Sequence, residues 1–186
     1  MWERPNRANF TTMNKTLLSM GHGFSARALA TRLVPQGWRI IGTTRSADKC
    51  DAIAATGVEP LVWPGTDVSK VLGEVDHLLL SPAPGPEGDP VLAEMGDQII
   101  AAAPRLRWAG YLSTTGVYGD HKGDWVDEDT PLTPATKRGL ARVEAEAAWR
   151  AIPQLPLHIF RLAGSYGPGR GPFAKVRAGT ARRIIK

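Results

Sequence analysis

The run from Lys15 to Arg45 constrains this chain more than any other stretch, because strand, glycine turn, helix and second strand follow one another without a gap. Thr16-Leu17-Leu18-Ser19-Met20 is a short apolar run that stops at Gly21-His22-Gly23-Phe24-Ser25-Ala26, and Ala28-Leu29-Ala30-Thr31-Arg32-Leu33 then carries a helical pattern. Trp38-Arg39-Ile40-Ile41-Gly42-Thr43 reads as the second strand. The turn has the spacing G-x-G-x-x-A. In such a turn Gly21 permits the tight bend, Gly23 lets the backbone approach a diphosphate, and Ala26 lets the helix pack on the strand. The free N–H groups of the first helical turn, from Phe24 and Ser25, then face the anion. A glycine pattern alone is weak, and the flanking elements are what turn it into an expected dinucleotide-binding unit.

The residues after the second strand bear on which dinucleotide. A carboxylate there holds the ribose 2′-hydroxyl of NAD, whereas an arginine accommodates the 2′-phosphate of NADP. The sequence reads Thr43-Thr44-Arg45-Ser46 and has no acid before Asp48. NADP is therefore expected, with Thr44 and Arg45 at the adenosine end. NAD remains possible, and the plain alternative for Arg45 is a solvated loop cation.

Further along, Ala47 to Thr56 reads as a helix stopped by Gly57, and Glu59 to Pro64 as a third strand. Asp67 stands just beyond, placed either to accept from an adenine amine or to cap the short helix Val68 to Gly73. Asp76-His77-Leu78-Leu79-Leu80-Ser81 is a compact apolar run typical of a buried parallel strand. It leads into Ser81-Pro82-Ala83-Pro84-Gly85-Pro86, a stiff loop that suits a wall along the cofactor or serves as a connection. A helix from Pro90 to Ala103 carries Asp97, and the strand Ala109 to Ser113 follows. Strands alternating with helices imply an α/β fold, a doubly wound parallel sheet flanked by helices. Ligands in such sheets sit at the carboxyl ends of the strands, the edge that collects Gly21, Arg45, Ser81 and Ser113.

Composition removes several classes. At 186 residues, 42% hydrophobic and 22% charged, the chain suits one globular core. No apolar run approaches the roughly 20 residues of a membrane helix, and no secretory signal is visible, so a cytoplasmic protein is expected. The single cysteine, Cys50, excludes an internal disulfide and a thiolate metal site. The net charge of +5 is concentrated near both ends without a nucleic-acid-binding motif, so a solvated surface is the better reading than a nucleic-acid partner. Residues 1–14 lack periodicity and read as a disordered leader.

The stretch Ser113-Thr114-Thr115-Gly116-Val117-Tyr118-Gly119-Asp120, followed by Trp125-Val126-Asp127-Glu128, Thr130-Pro131 and Pro134, resembles the extended short-chain dehydrogenase/reductase family, the nucleotide-sugar epimerases and dehydratases. Phe160-Arg161-Leu162-Ala163-Gly164-Ser165-Tyr166-Gly167-Pro168-Gly169 is similar to that family's sixth strand and its exit. The resemblance covers residues 15 to 186 and implies a Rossmann-type domain. It also implies hydride exchange with a hydroxyl or keto substrate such as a nucleotide sugar, and a homodimer through the helix at 136–149. Residues 172–186 would begin a smaller substrate-binding portion that is largely missing, so the chain looks truncated.

The family's chemistry uses a Ser or Thr after the fifth strand and a Tyr-x-x-x-Lys pair on the next helix. Carried over residue by residue, the Ser/Thr position falls on Thr114, the tyrosine position on Arg138, the lysine position on Arg142, and the acid one turn later on Glu146. An arginine cannot cycle a proton near neutral pH. The pattern is similar to an atypical branch of the family with an eroded catalytic set, in which an Asp replaces the active-site Asn. Asp97 is the expected residue, against the reading of an exposed helix carboxylate. Tyr118, His121 and Tyr166 are further candidates for the proton carrier. The resemblance leaves a non-catalytic NADP-binding module as the alternative to an enzyme.

Overall fold

The computed structural model describes residues 15–182. The expected leader at 1–14 and the last four residues lie outside the described residues. Six strands, β1 (Thr16–Met20), β2 (Arg39–Thr44), β3 (Glu59–Val62), β4 (His77–Leu80), β5 (Trp108–Thr114) and β6 (Leu157–Leu162), form one sheet in the order β3-β2-β1-β4-β5-β6. Every neighbouring pair is parallel. The helices are α1 (Phe24–Leu33), α2 (Cys50–Ala54), α3 (Ser69–Glu74), α4 (Pro90–Ala102), α5 (Lys137–Arg150) and α6 (Pro172–Arg177). The expected helix from Ala47 is split, with a 3-10 turn at Ala47–Lys49 preceding α2.

Alternation along the strands sends side chains to two cores. Leu18, Met20, Ile41, Leu78, Leu80 and Tyr111 pack with α3, α4 and α5, through Leu72, Met95, Ile99, Ala145 and Trp149 among others. Leu17, Ile40 and Leu79 face the opposite way and pack against Ala26 and Ala30 of α1 and Ile53 of α2. Each of these large apolar side chains contributes roughly 1.5–3 kcal/mol on burial, which fixes the register and so brings the strand ends level. Crossovers run outward from β1 to β2 and β3 on one side and to β4, β5 and β6 on the other. The order therefore reverses between β1 and β4, the place where such sheets open a crevice.

Side-chain caps start two of the helices, and one of them ties α4 to α5. Asp89 caps α4 by accepting from the Val91 and Leu92 N–H groups and also accepts from the Trp149 indole at 3.1 Å. Thr136 caps α5 by accepting from Gly139 N–H. Of the small residues at 136–149 that suit a helix interface, Ala145 is buried against the sheet, Ala141 is half-buried and Ala148 is exposed.

Candidate functional site: a groove at the strand carboxyl ends

The glycine turn folds as the spacing requires. Gly21 has φ +70°, its N–H donates to Thr43 Oγ1 at 2.7 Å, and a Cβ there would stand 3.2 Å from the Pro82 ring. Gly23 caps α1 and has room: a Cβ would meet nothing closer than Gly21 O at 3.8 Å. The protein's own packing does not demand glycine at position 23, whereas the close approach of a ligand would. His22 turns inward against Gly42, with Nδ1 3.1 Å from Ser19 Oγ. Burial first, and the Arg27 charge second, hold its pKa below the usual imidazole value.

This turn forms one end of a groove of about 390 Å³. Gly21, Gly23, Phe24 and Ser25 line it together with Ser81 from the end of β4, Ser113 and Thr114 from the end of β5, and Arg142 from α5. Eight of the residues expected from sequence thus meet in one place. Ser81 Oγ is buried and has no hydrogen-bond partner among the described residues, an orphan hydroxyl on the wall of the groove. Thr114 Oγ1 accepts from Gly116 N–H at 3.2 Å, which fixes its orientation at the strand end.

Arg142, at the family's lysine position, donates from one nitrogen to Tyr111 Oη at 2.9 Å and to Leu112 O at 3.0 Å. Its guanidinium also lies 5.3 Å from the centre of the Tyr111 ring. Burial, against the opposing charge of Arg142, pushes the Tyr111 phenol up to about 12, so that hydroxyl stays protonated. Behind Ser113 lies a network with Glu146 at its centre. The Ser113 hydroxyl donates to Glu146, and Arg161 donates to both of its carboxylate oxygens at 3.0–3.3 Å. Arg161 also donates to Tyr118 Oη at 3.0 Å. Burial alone would raise the Glu146 pKa. The Arg161 and Ser113 hydrogen bonds and the charges of Arg161 and Arg150 outweigh it and hold the carboxyl below its ordinary value.

Several expected residues are not brought to the groove. Asp97 stands on the exposed side of α4, because Val91, Met95 and Ile99 claim the face that meets the sheet. Arg138 is exposed one turn before Arg142. Asp67 does not line the groove; its carboxylate accepts from Ser69 N–H at 2.9 Å in the turn that leads into α3, whose N-cap is Val68 and not Asp67. Pro82 packs on Gly21 instead of lining the groove. The Thr44 hydroxyl is held in its own turn by Ser46. Arg45 is exposed beyond the end of β2, with no hydrogen bond or ion pair among the described residues. Of the spare proton carriers, Tyr118 is buried against Arg161, His121 contacts Tyr118 O at 3.0 Å and Tyr166 is 82% exposed. None of the three lines the groove.

Sequence reasoning missed Leu112, Ala163, Gly164, Ser165 and Arg170 in the groove wall. The signal was present: the exit of the sixth strand lies on the same sheet edge as every other motif.

A parallel sheet in this order, with a glycine turn at the reversal point and a groove over it, defines a Rossmann-type nucleotide-binding domain. Its solved structural neighbours include NAD-dependent epimerases and a short-chain dehydrogenase/reductase superfamily protein, and the chain shares their Rossmann-type fold. A conserved protein of unknown function from Silicibacter pomeroyi is 63% identical, with a TM-score of 0.88 over 92% of this chain and 60% of that one. The UDP-glucuronic acid 4-epimerase of Bacillus cereus, solved with NAD, is 22% identical, with a TM-score of 0.66 over 85% and 60%. The yeast methylglyoxal/isovaleraldehyde reductase Gre2, solved with NADPH, is 16% identical, with a TM-score of 0.59 over 80% and 58%. Protein YeeZ of Escherichia coli K12 is 32% identical over 170 residues, 85% of this chain and 61% of YeeZ. This chain thus spans about three fifths of the length of the proteins it matches. No protein-family model matches it. No helix among the described residues is long and apolar enough to cross a membrane.

Proposed function

We propose that the chain binds NADP in this groove and belongs to an atypical, extended short-chain dehydrogenase type acting on a hydroxyl or keto substrate, for which a nucleotide sugar is the leading class. The observation that carries the reading is the convergence on one groove of an open glycine turn, an unpartnered Ser81 hydroxyl and the Ser113–Thr114 strand end. The residues fit a dinucleotide. Gly21, Gly23 and the first N–H groups of α1 would hold the diphosphate, Ser81 a ribose hydroxyl, and Arg45, free at the end of β2, the 2′-phosphate.

A nicotinamide supplies hydride exchange with the carbon that bears the hydroxyl or keto group. This chain's part is orientation and charge. Thr114 holds the substrate oxygen, and Ser113, with its proton committed to Glu146, offers lone pairs to the same space. Arg142 places a fixed positive charge where the family has lysine. Arginines at both the tyrosine and lysine positions, with Arg138 exposed, favour as second reading a module that binds NADP without turnover. The activity of a protein as long as the relatives, a cytoplasmic location, a beginning substrate portion at 172–186 and a homodimer through the outer side of α5, where Leu140 is 51% exposed, belong to the same proposal.

Titration with NADPH and NADH, followed by the melting midpoint and by nicotinamide fluorescence, tests it. NADPH should bind more tightly, and Arg45→Ala should cost NADPH about tenfold or more while leaving NADH unchanged. Equal affinity for the two, or no effect of the substitution, removes the NADP assignment. Sustained turnover unaffected by Thr114→Ala removes the assigned catalytic site.

A further inference from the structure

Arg170 is the second guanidinium in the groove, and none of the motifs above accounts for it. It lies 5.1 Å from the centre of the Phe24 ring, and Phe24 is the first residue of α1. Arg170 is therefore one aromatic ring away from the helix N-terminus that the glycine turn opens. The loop that delivers it is built for position. Gly167 and Arg170 exchange two backbone hydrogen bonds, at 2.8 and 2.9 Å, around Pro168 and Gly169, and Gly169 has φ +71°. Proline followed by a left-handed glycine is the chemistry of a rigid type II turn. Gly167 packs closely on the same ring, since a Cβ there would stand 3.0 Å from Phe24 Cζ.

The charge balance points the same way. Among the described residues no aspartate or glutamate lines the groove. Arg142 spends donors on Tyr111 and Leu112, whereas the Arg170 side chain makes no hydrogen bond or ion pair among the described residues and lies over the Phe24 ring. Five N–H donors in a planar fork, held beside a helix N-terminus in a groove free of carboxylates, match the geometry of phosphate oxygens.

We propose that Arg170 is a binding residue for a diphosphate, closing over the outer side of the seat formed by Gly21, Gly23 and the start of α1. The inference rests on the cofactor reading above and extends it. A dinucleotide and a nucleotide sugar both carry a diphosphate; the contact with Phe24 assigns Arg170 to the dinucleotide.

The test uses the 186-residue chain and measures the affinities of NADPH, NADH, ADP-ribose and UDP for wild type, R170A and R170K by calorimetry. R170A should weaken NADPH, NADH and ADP-ribose by a common factor of about ten, and R170K should recover part of it because the charge returns without the fork. UDP should be unaffected, and the ligand-free melting midpoint should stay near wild type, since the guanidinium holds no part of the fold by a hydrogen bond. If R170A unfolds, R170K reads the same comparison. Unchanged affinities in a wild type that binds dinucleotides overturn the Arg170 assignment alone. So does a loss confined to NADPH or to UDP, because it moves the contact to the 2′-phosphate or to a substrate. If wild type binds no dinucleotide, the cofactor reading falls and this inference falls with it.

Discussion

Removing the Glu146 carboxylate is the sharpest perturbation available, because that side chain is fully buried and holds Arg161, whose own side chain is 11% exposed. Three groups donate to it: the Ser113 hydroxyl, Arg161 and, at 3.3 Å, Arg150. Arg150 is half-exposed and water can replace its partner, so that contact counts for little. Arg161 is different. In Glu146→Ala its charge stays between β6 and α5 with only Tyr118 Oη and the Glu128 carbonyl left to accept from it. Breaking a buried pair from one side costs roughly 3–5 kcal/mol. At about 2–4 °C per kcal/mol for a domain of this length, the melting midpoint should fall by roughly 6–20 °C. Glu146→Gln keeps an acceptor for Ser113 and Arg161 and should lose less, about 1–3 kcal/mol. The paired change Glu146→Leu with Arg161→Met should lie closer to wild type than Glu146→Leu alone, since no stranded charge remains. Circular dichroism melts at neutral pH read all four variants. A Glu146→Ala midpoint within about 2 °C of wild type would refute the claim that this network holds β6 to α5.

Stability should also fall with acid in two stages. The folded His22 has a pKa below the usual 6.5, so as pH drops through that value the unfolded chain takes up the proton first and stability declines; Glu146, held below the usual 4.5, adds a second loss beneath that pH. Midpoints that stay flat from about pH 7 to pH 5 contradict the first stage, midpoints that stay flat from about pH 5 to pH 3 contradict the second, and His22→Gln should erase the upper stage alone. Gly23→Ala should leave the ligand-free midpoint within a few degrees, because its Cβ meets nothing closer than 3.8 Å, yet abolish stabilisation by NADPH; retained NADPH binding would show that the diphosphate seat is misplaced. Two further glycines make a matched pair. Gly119→Ala puts a Cβ 2.0 Å from Thr133 O at φ +81° and should prevent soluble expression, whereas Gly123→Ala at φ +94°, with nothing within 4 Å, should cost about 1 kcal/mol in urea titrations.

The sheet and half of the groove were legible because their signals are local. A five-residue strand carrying Leu17, Leu18 and Met20, a G-x-G-x-x-A turn and a helix pattern are all written within Thr16 to Leu33, and the later strands again alternate with helices. Helix faces were harder. Asp97 looks placed for chemistry by its position along the chain, and only the packing of Val91, Met95 and Ile99 reveals that it points to solvent. Asp67 and Pro82 were ambiguous for a similar reason: bonding the Ser69 N–H within a turn and packing on Gly21 leave the same residue types in the sequence as binding a ligand does. Arg170 was overlooked because its meaning depends on Phe24, which no spacing rule connects to it. The Glu146 network was visible as an acid in a helix, but its partners come from three separate elements.

The contact between Phe24 and Gly167 joins the turn after the earliest strand to the exit of the latest one. The cleft is consequently a long-range object, finished only when the whole layer of strands has zipped together in order. Ligand capture by this chain should then serve as a clock for its assembly, lagging behind helix formation, and a partly folded chain with correct helices should remain blind to its cofactor.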